Sequence, residues 1–478
     1  MSSQQFFKNI TLLGAVELLL RLKSLVLMPL MTRWIGTVNY GVWSQTAVLS
    51  ATFVPLILLG SESAVMRFLP GLPAATQARQ FLGWVCSVVG FAAAVCGLLL
   101  LATHPLSTFF FRDDSALLRF IPLAVISLFV TLLLNLSRSW YRIHQRALGY
   151  SLLNIAQSLA NFVAILAAVL RRCDTYQIVA VSIAADALVA VVFLSAILRQ
   201  LGWLRPDFTI LRPFLRFGLP LVPAGYAMWG INSMDRLFLA RYTDLSQIGI
   251  YSFAYTMGYT LFQSFATPIW SMFPSAAAAA YQSDDRARVQ LLFERSLLLL
   301  LGLALPAIAG LFALGRPIFA ALSTPEFASG APWAALVMAG YLCHIWASYY
   351  EVALSWVHRQ YLGTVAIGAA CGMNLLLNVL LIPRYGPLGA AAATAAAFAV
   401  QLLLVWLLAR HYQPLVLRRG PIFKVALAAA AMGIAVSALR AIGPSTLSWT
   451  MAWIVAGALI YGLLLVCWRV VDLRAIKR

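Results

Sequence analysis

Apolar runs of about 20 residues, separated by short polar breaks, recur along the whole chain; a run of that length crosses the hydrocarbon core of a bilayer as one α-helix. Fourteen such spans are read, at residues 8–31, 43–64, 81–103, 117–137, 147–170, 177–198, 213–240, 247–272, 291–314, 331–356, 361–382, 388–409, 422–441 and 449–470. Arg119 and Pro122 blur the start of the fourth. The breaks reach only about 10 to 18 residues, too few for a soluble domain. The pattern therefore predicts an all-α polytopic membrane protein with 14 transmembrane helices, whose chemistry takes place inside the membrane or at its faces.

One block occurs twice. RWIGTVNYGVWS (Arg33–Ser44) aligns without gaps with RYTDLSQIGIYS (Arg241–Ser252), and SWYRIHQRALG (Ser139–Gly149) with the shorter SWVHRQYLG (Ser355–Gly363). The order predicts a duplicated unit of about 210 residues and two pseudo-symmetric six-helix lobes, the usual frame of a secondary transporter. The N-terminal lobe is placed at 1–199, a cytoplasmic linker at 200–212, the C-terminal lobe at 213–410, and helices 13 and 14 with a cytoplasmic tail at 411–478. The alanine-rich stretch after Gly389 is expected to let helices approach closely. Pro29, Pro55, Pro220, Pro223, Pro268, Pro274 and Pro306 are expected to bend spans, as static shape or as hinges.

Composition sharpens this picture. With 62% hydrophobic and 10% charged residues and a mean hydropathy of +0.87, the chain lies far outside the soluble range. The net charge of +19 would suggest nucleic acid in a soluble protein. Here most of the 34 basic residues, among them Arg138, Arg142 and Arg146, fall on the side shared by both termini. The positive-inside rule then makes both termini cytoplasmic, and the basicity topological, with a minor attraction to anionic lipid; no nucleic acid is expected as a partner. The six scattered cysteines give no disulfide framework or thiolate site. The N-terminus shows no cleavable leader, so the first run is expected to stay as a span. No nucleotide loop, zinc-hydrolase or serine-hydrolase motif and no clustered metal ligands occur, so neither an enzyme nor an ATP-driven pump is expected.

An ionisable residue at the centre of a span costs about 2.5 to 3.5 kcal/mol on insertion scales, which makes each one a candidate. Span 1 carries Glu17, Arg21 and Lys23. Glu17 and Arg21 share a stripe with Gly14, Ser24 and Met28, as a self-neutralising pair or as a cation offered to a polar cavity. Lys23 points about 200° away from Arg21 and either snorkels or meets another helix. Asp186 lies near the middle of span 6, as a coupling acid or a hydrogen-bonded neutral one. Asn232, Asp235 and Arg236 cluster in span 7, as a gate or as helix-to-helix contacts. In span 10, Tyr349 and Tyr350 either stack on sugar rings or join an interfacial belt. Beside them, His344 is a relay or a core histidine, and Glu351 is a coupling or gating acid. Glu62, Asn374 and Asn378 are weaker candidates, the asparagines as packing contacts.

Gly41 after Asn39 and Tyr40, FGLPLVPAGYAMWGINSMDRLFL, QIGIYSFAY and NLLLNVLLIPRYGPLGAAAAT resemble the polysaccharide transport (Wzx-type) family of bacterial flippases. That family shares a superfamily with multidrug and toxin extruders and MurJ-type lipid II flippases, and the resemblance covers nearly the whole chain. It implies a V-shaped two-lobe transporter in the bacterial inner membrane that moves polyprenyl-diphosphate-linked oligosaccharide units to the periplasmic leaflet, for O-antigen, capsule or exopolysaccharide assembly. Lipid II flipping and cation-coupled drug export are the alternatives within the superfamily. The resemblance implies a cavity lined by cations of the first helix, where Arg21 and Lys23 could match. Polymerase and other glycan-assembly proteins are implied partners beside membrane lipids. No cofactor is expected, and coupling to protons or sodium stays open.

Overall fold

The computed structural model describes residues 3–111, 115–202, 204–413, 415–443 and 446–468, and side chains outside 3–26, 108–111, 115 and 116. Among the described residues the chain is helical throughout: α1 (Ser3–Leu58), α2 (Ser61–Phe68), α3 (Ala74–Leu101), α4 (Thr103–Phe111), α5 (Ser115–Leu118), α6 (Ile121–Ile143), α7 (Ala147–Leu170), α8 (Thr175–Leu201), α9 (Leu211–Gly218), α10 (Val222–Trp229), α11 (Asp235–Tyr242), α12 (Leu245–Gln282), α13 (Arg286–Leu322), α14 (Ala331–Trp356), α15 (Tyr361–Tyr385), α16 (Pro387–Tyr412), α17 (Arg419–Ile442) and α18 (Leu447–Cys467). Ten helical segments among them are long and apolar enough to cross a membrane.

The sequence spans map onto these helices with three differences. Spans 1 and 2 both lie in α1, which breaks at Gly36, where φ is +72°. The expected run 43–64 ends early, because Leu59 and Gly60 take positive φ before α2 begins. Span 7 is a composite of α9, a 3-10 turn at Leu219–Leu221, α10, a π-helical turn at Gly230–Met234, and α11. Pro220 and Pro223, which lack the amide hydrogen a continuous helix needs, fall at its first joint. The prolines of α12 and α13 stay inside continuous helices.

The chain divides by packing into two compact units, Met1–Ser246 and Gln247–Arg478, whereas the repeat divides it at the 200–212 linker. The difference arises because span 7 is fastened to α1 and α2. The Gly60 and Gly218 backbones touch, and a Cβ on Gly60 would collide with the Gly218 carbonyl oxygen. The Tyr226 hydroxyl donates to the Thr52 carbonyl at 3.2 Å, and Gln45 Nε2 to the Arg236 carbonyl at 2.8 Å. In the first unit the core is built on Phe81, Trp84, Leu128, Leu136 and Trp140. In the second, Gly340 lies against Ala395 and Gly389 against the Leu381 carbonyl, while Ala390, Ala391, Ala393 and Ala397 are fully buried. The small residues let α14, α15 and α16 pack at backbone distance, as the alanine run predicts.

The duplication is visible in backbone detail. Both copies of the first block are helix, break, helix: Gly36 within α1, and Thr243–Asp244 between α11 and α12. Both copies of the second are a helix ended by a left-handed residue, Gln145 and His358. After each, the next amide reaches back to close the turn, Arg146 to the Tyr141 carbonyl and Arg359 to Leu354, both at 2.9 Å.

Candidate functional site

The first unit holds a polar network on α6, α7 and α8. Asn135, Arg138 and Arg142 recur along one stripe of α6, and Tyr150, Asn154, Gln157 and Asn161 along one stripe of α7. The Arg138 guanidinium donates to Asn135 Oδ1 at 2.8 Å, Asn154 Oδ1 at 3.1 Å and Gln157 Oε1 at 2.5 Å. Its acceptors are neutral amides, so the hydrogen bonds are satisfied while the charge is not neutralised by contact. Glu62 and Asp186 stand within electrostatic reach of it. Asn161 Nδ2 donates to Ser182 Oγ at 2.7 Å and, more weakly, to Asp186 Oδ1 at 3.4 Å. Arg138, Asn154, Gln157, Asn161, Asp186 and Glu62 are all half-buried, so the stripe is not sealed inside the core. Asp186, with no basic residue within one turn on its own helix, thus has Arg138 and Asn161 opposite it.

A second cluster closes on α11. Asp235 is fully buried and Arg236 nearly so. Asp235 Oδ1 accepts the Arg236 backbone N–H at 2.7 Å, and the Arg236 guanidinium donates to the Asn232 carbonyl at 2.8 Å. Asn232 sits in the π-helical turn, whose irregular bonding leaves a carbonyl for that guanidinium to satisfy. All three residues belong to the first unit, packed on the Gln45 side of α1.

In the second unit, Gln401 of α16 is fully buried and joins two candidates from α14. Its Oε1 pairs with His344 Nδ1 at 2.9 Å, and its Nε2 donates to Glu351 Oε1 at 2.9 Å. Because the amide donates to the carboxylate, its oxygen is left to accept, which places the proton of His344 on Nδ1. Tyr349 is fully buried among Trp270, Phe273 and Phe293, and Tyr350 packs on Phe293. Both rings are therefore core, neither free to stack on a sugar nor placed in an exposed belt. Asn378 Nδ2 donates to Asn374 Oδ1 at 2.9 Å within the buried face of α15.

Glu17, Arg21 and Lys23 lie on the α1 backbone, with side chains outside the described residues. Arg138 and Gln401 are the residues that sequence reading missed. Arg138 counts as a cytoplasmic charge when the fourth span is ended at 137, but α6 runs on to Ile143. The amide stripe of α7 was the available signal. No group of three or more metal-ligating side chains occurs among the described residues.

These features define an all-α, multi-pass membrane chain with polar networks on its spans, and comparison with solved structures shows which fold it shares. The chain is similar in fold to the lipid II flippase MurJ in its inward closed conformation, with a TM-score of 0.76 at 15% identity, over 96% of this chain and 99% of that one. It is also similar to the eukaryotic MATE transporter AtDTX14 (TM-score 0.53, 13% identity, 90% and 99% covered). An inward-facing multidrug resistance MATE family transporter gives 0.52 at 14% identity, with 82% and 97% covered. No curated protein sequence matches the chain. The family described as polysaccharide biosynthesis protein matches residues 6–279, more than half of the sequence, and the chain belongs to that family.

Proposed function

We propose that this protein is a flippase that carries polyprenyl-diphosphate-linked oligosaccharide units from the cytoplasmic to the periplasmic leaflet of the bacterial inner membrane. It would serve O-antigen, capsule or exopolysaccharide assembly by exposing a cationic site alternately to the two faces. The observation that carries this reading is the Arg138 hub, a cation within a membrane helix whose contacts are amide oxygens and whose surroundings are half-open. Family membership and the MurJ-like fold point the same way. A diphosphate needs a desolvated cation with a fork of donors, and Arg138 retains donors beyond the bonds it makes. Arg21 and Lys23 would extend this positive surface along the first helix.

Energetically the field helps. Two to three negative charges leaving the cytoplasm gain roughly 5 to 7 kcal/mol at about 2.3 kcal/mol per charge per 100 mV. The protein's task is then to lower the barrier by replacing headgroup hydration with guanidinium and amide donors while the prenyl chain stays in lipid. Asp186, Asp235 and Glu351 offer carboxylates through which protons or sodium could be coupled. On this reading the protein catalyses no covalent step, and its partners are the lipid-linked glycan, membrane lipids and the polymerase that takes over the flipped unit.

Purified protein in liposomes should translocate a fluorescent polyprenyl-diphosphate oligosaccharide, and Arg138→Gln should slow this at least about tenfold with insertion unchanged. Liposomes that move a cationic dye but leave the glycolipid in place would instead assign the chain to drug export.

A further inference from the structure

A cavity of about 580 Å³ lies in the second unit between α14, α16 and the stretch that leads into α17. Its walls are apolar, with Trp346, Ala399, Leu402, Leu403, Leu415 and Ile422 among them, and two cations, Arg410 and Arg419, share it. No acid lines it. The Arg410 guanidinium lies over the Trp406 ring, 5.1 Å from its centroid, and neither arginine forms an ion pair among the described residues. The nearby carboxylate of Glu294 is engaged elsewhere, by Gln290 Nε2 at 2.9 Å and by Arg418 at 3.6 Å.

The roof of the cavity is fixed. Arg286, Gln290 and Glu294 form one stripe of α13, and each holds a point of the linker. Arg286 donates to Gln413 Oε1 at 3.3 Å. Gln290 both donates to the Val416 carbonyl and accepts the Val416 amide, the latter at 3.2 Å. Glu294 pairs with Arg418. Leu415, pressed inward with 7% exposure, and Leu417 complete the wall.

A partly open, largely apolar cavity with two cations that form no ion pair among the described residues matches an amphiphile with an anionic head. We propose that the cavity is a structural site for an anionic glycerophospholipid of the surrounding leaflet, its phosphate held by Arg410 and Arg419 and part of an acyl chain lying along Leu402, Leu403 and Ile422. Its volume suits a headgroup and a chain segment. A free phosphate would leave the apolar walls uncovered. The lipid would join α16 to α17, a helix whose other packing is onto α13 and α18, through Met432, Val436, Trp453 and the Arg440 bond to the Ala313 carbonyl at 2.8 Å.

The test uses full-length delipidated protein in detergent, read by native mass spectrometry and thermal unfolding. Phosphatidylglycerol should remain bound and raise Tm by a few degrees, while phosphatidylcholine and inorganic phosphate should do neither. Arg410→Gln with Arg419→Gln should weaken phosphatidylglycerol retention about tenfold, since each cation contributes to anionic-lipid attraction. Both side chains are exposed, so the double variant keeps its core. Ala399→Trp, which fills the apolar volume and leaves both charges, should weaken retention as well. Equal retention by wild type and double variant, an equal response to phosphatidylcholine, or displacement of phosphatidylglycerol by a short-chain polyprenyl diphosphate would each overturn the proposal.

Discussion

The hairpin of α6 and α7 and the hairpin of α14 and α15 are built alike, yet they fix opposite charges. Arg138 and Glu351 stand at the same distance before the left-handed residue that ends each helix, Gln145 and His358. At that position the first unit places a guanidinium bonded to three side-chain amides. The second places a carboxylate bonded through one amide, Gln401, to a histidine. The comparison teaches that two hairpins closed by the same turn and the same hydrogen bond carry side chains of opposite sign at the same distance before it, although in the repeated block, where Ser139 aligns with Ser355, Arg138 falls opposite Leu354. On the proposed flippase reading such a split is useful, because only one half needs to offer the cation and the other is free to hold a carboxylate.

The strongest way to break this comparison is to delete both charges in turn. Arg138→Leu removes a donor from three amide oxygens at once. Hydrogen bonds to a charged group contribute about 1.5 to 3 kcal/mol each when buried, and half-exposure lets water replace part of that. A loss of about 3 kcal/mol is expected, with a clear fall in Tm in detergent. Glu351→Leu removes one accepted bond and should cost about 1 kcal/mol. Equal losses would show that the two positions are merely equivalent helix ends and that the first unit has no cationic hub.

A smaller effect sharpens the second unit's side of the comparison. Gln401 is fully buried and contributes both an acceptor and a donor. Gln401→Glu keeps its shape but turns the donor toward Glu351 into a second carboxylate, and like charges at this spacing cannot both stay ionised. Destabilisation of about 2 kcal/mol is expected at neutral pH. Adding Glu351→Gln should recover most of it, because the donor and acceptor are then exchanged between the two residues. A double variant no better than the single one would mean that Glu351 and Gln401 do not share a bond in the working protein.

What the sequence made legible follows from the strength of each signal. Apolar length is a strong signal in a bilayer, so every span falls on helical backbone, although spans 1 and 2 share α1 and span 7 is pieced together from short helices, and the repeated blocks coincide with real breaks and turns. The ends of spans were less legible, because hydropathy falls off before the helix does. Ile143 ends α6 well past the apolar run, and this moved Arg138 from a loop into a membrane helix. The π-helical turn at Asn232 has no hydropathy signature at all. Gln401 was invisible for another reason: a single glutamine in an apolar helix acquires meaning only when α14 brings His344 and Glu351 to it. Arg79 shows the same dependence on packing. It reads as one more cytoplasmic charge, yet its backbone carbonyl accepts the Asp207 amide at 2.9 Å and its side chain donates to the Arg205 carbonyl at 3.2 Å.

That last contact reveals a further likeness between the units, with the smallest expected effect. The linker after α8 lies on the start of α3 as the linker after α16 lies on the start of α13, but the Thr209 amide of the first is held by the Asp207 carboxylate, and the Val416 amide of the second by the neutral amide of Gln290, beside the pair of Glu294 and Arg418. Asp207 Oδ1 accepts the Thr209 amide at 3.0 Å and the Thr209 hydroxyl at 2.7 Å, and these bonds hold its carboxyl below the usual range. A depressed carboxylate contributes stability that is fully present above its unfolded pKa, about 3.9, and is lost as pH falls through the lower folded value. Hydrogen exchange corrected for intrinsic rates should therefore show Thr209 amide protection constant from neutral pH down to about 4 and falling below it. The Val416 amide, held by the neutral oxygen of Gln290, should show no such step. Asp207→Asn should lower Thr209 protection at neutral pH and remove its pH dependence. If both amides lose protection together on acidification, the linkers respond to global unfolding and the carboxylate gives the first one no pH sensitivity of its own.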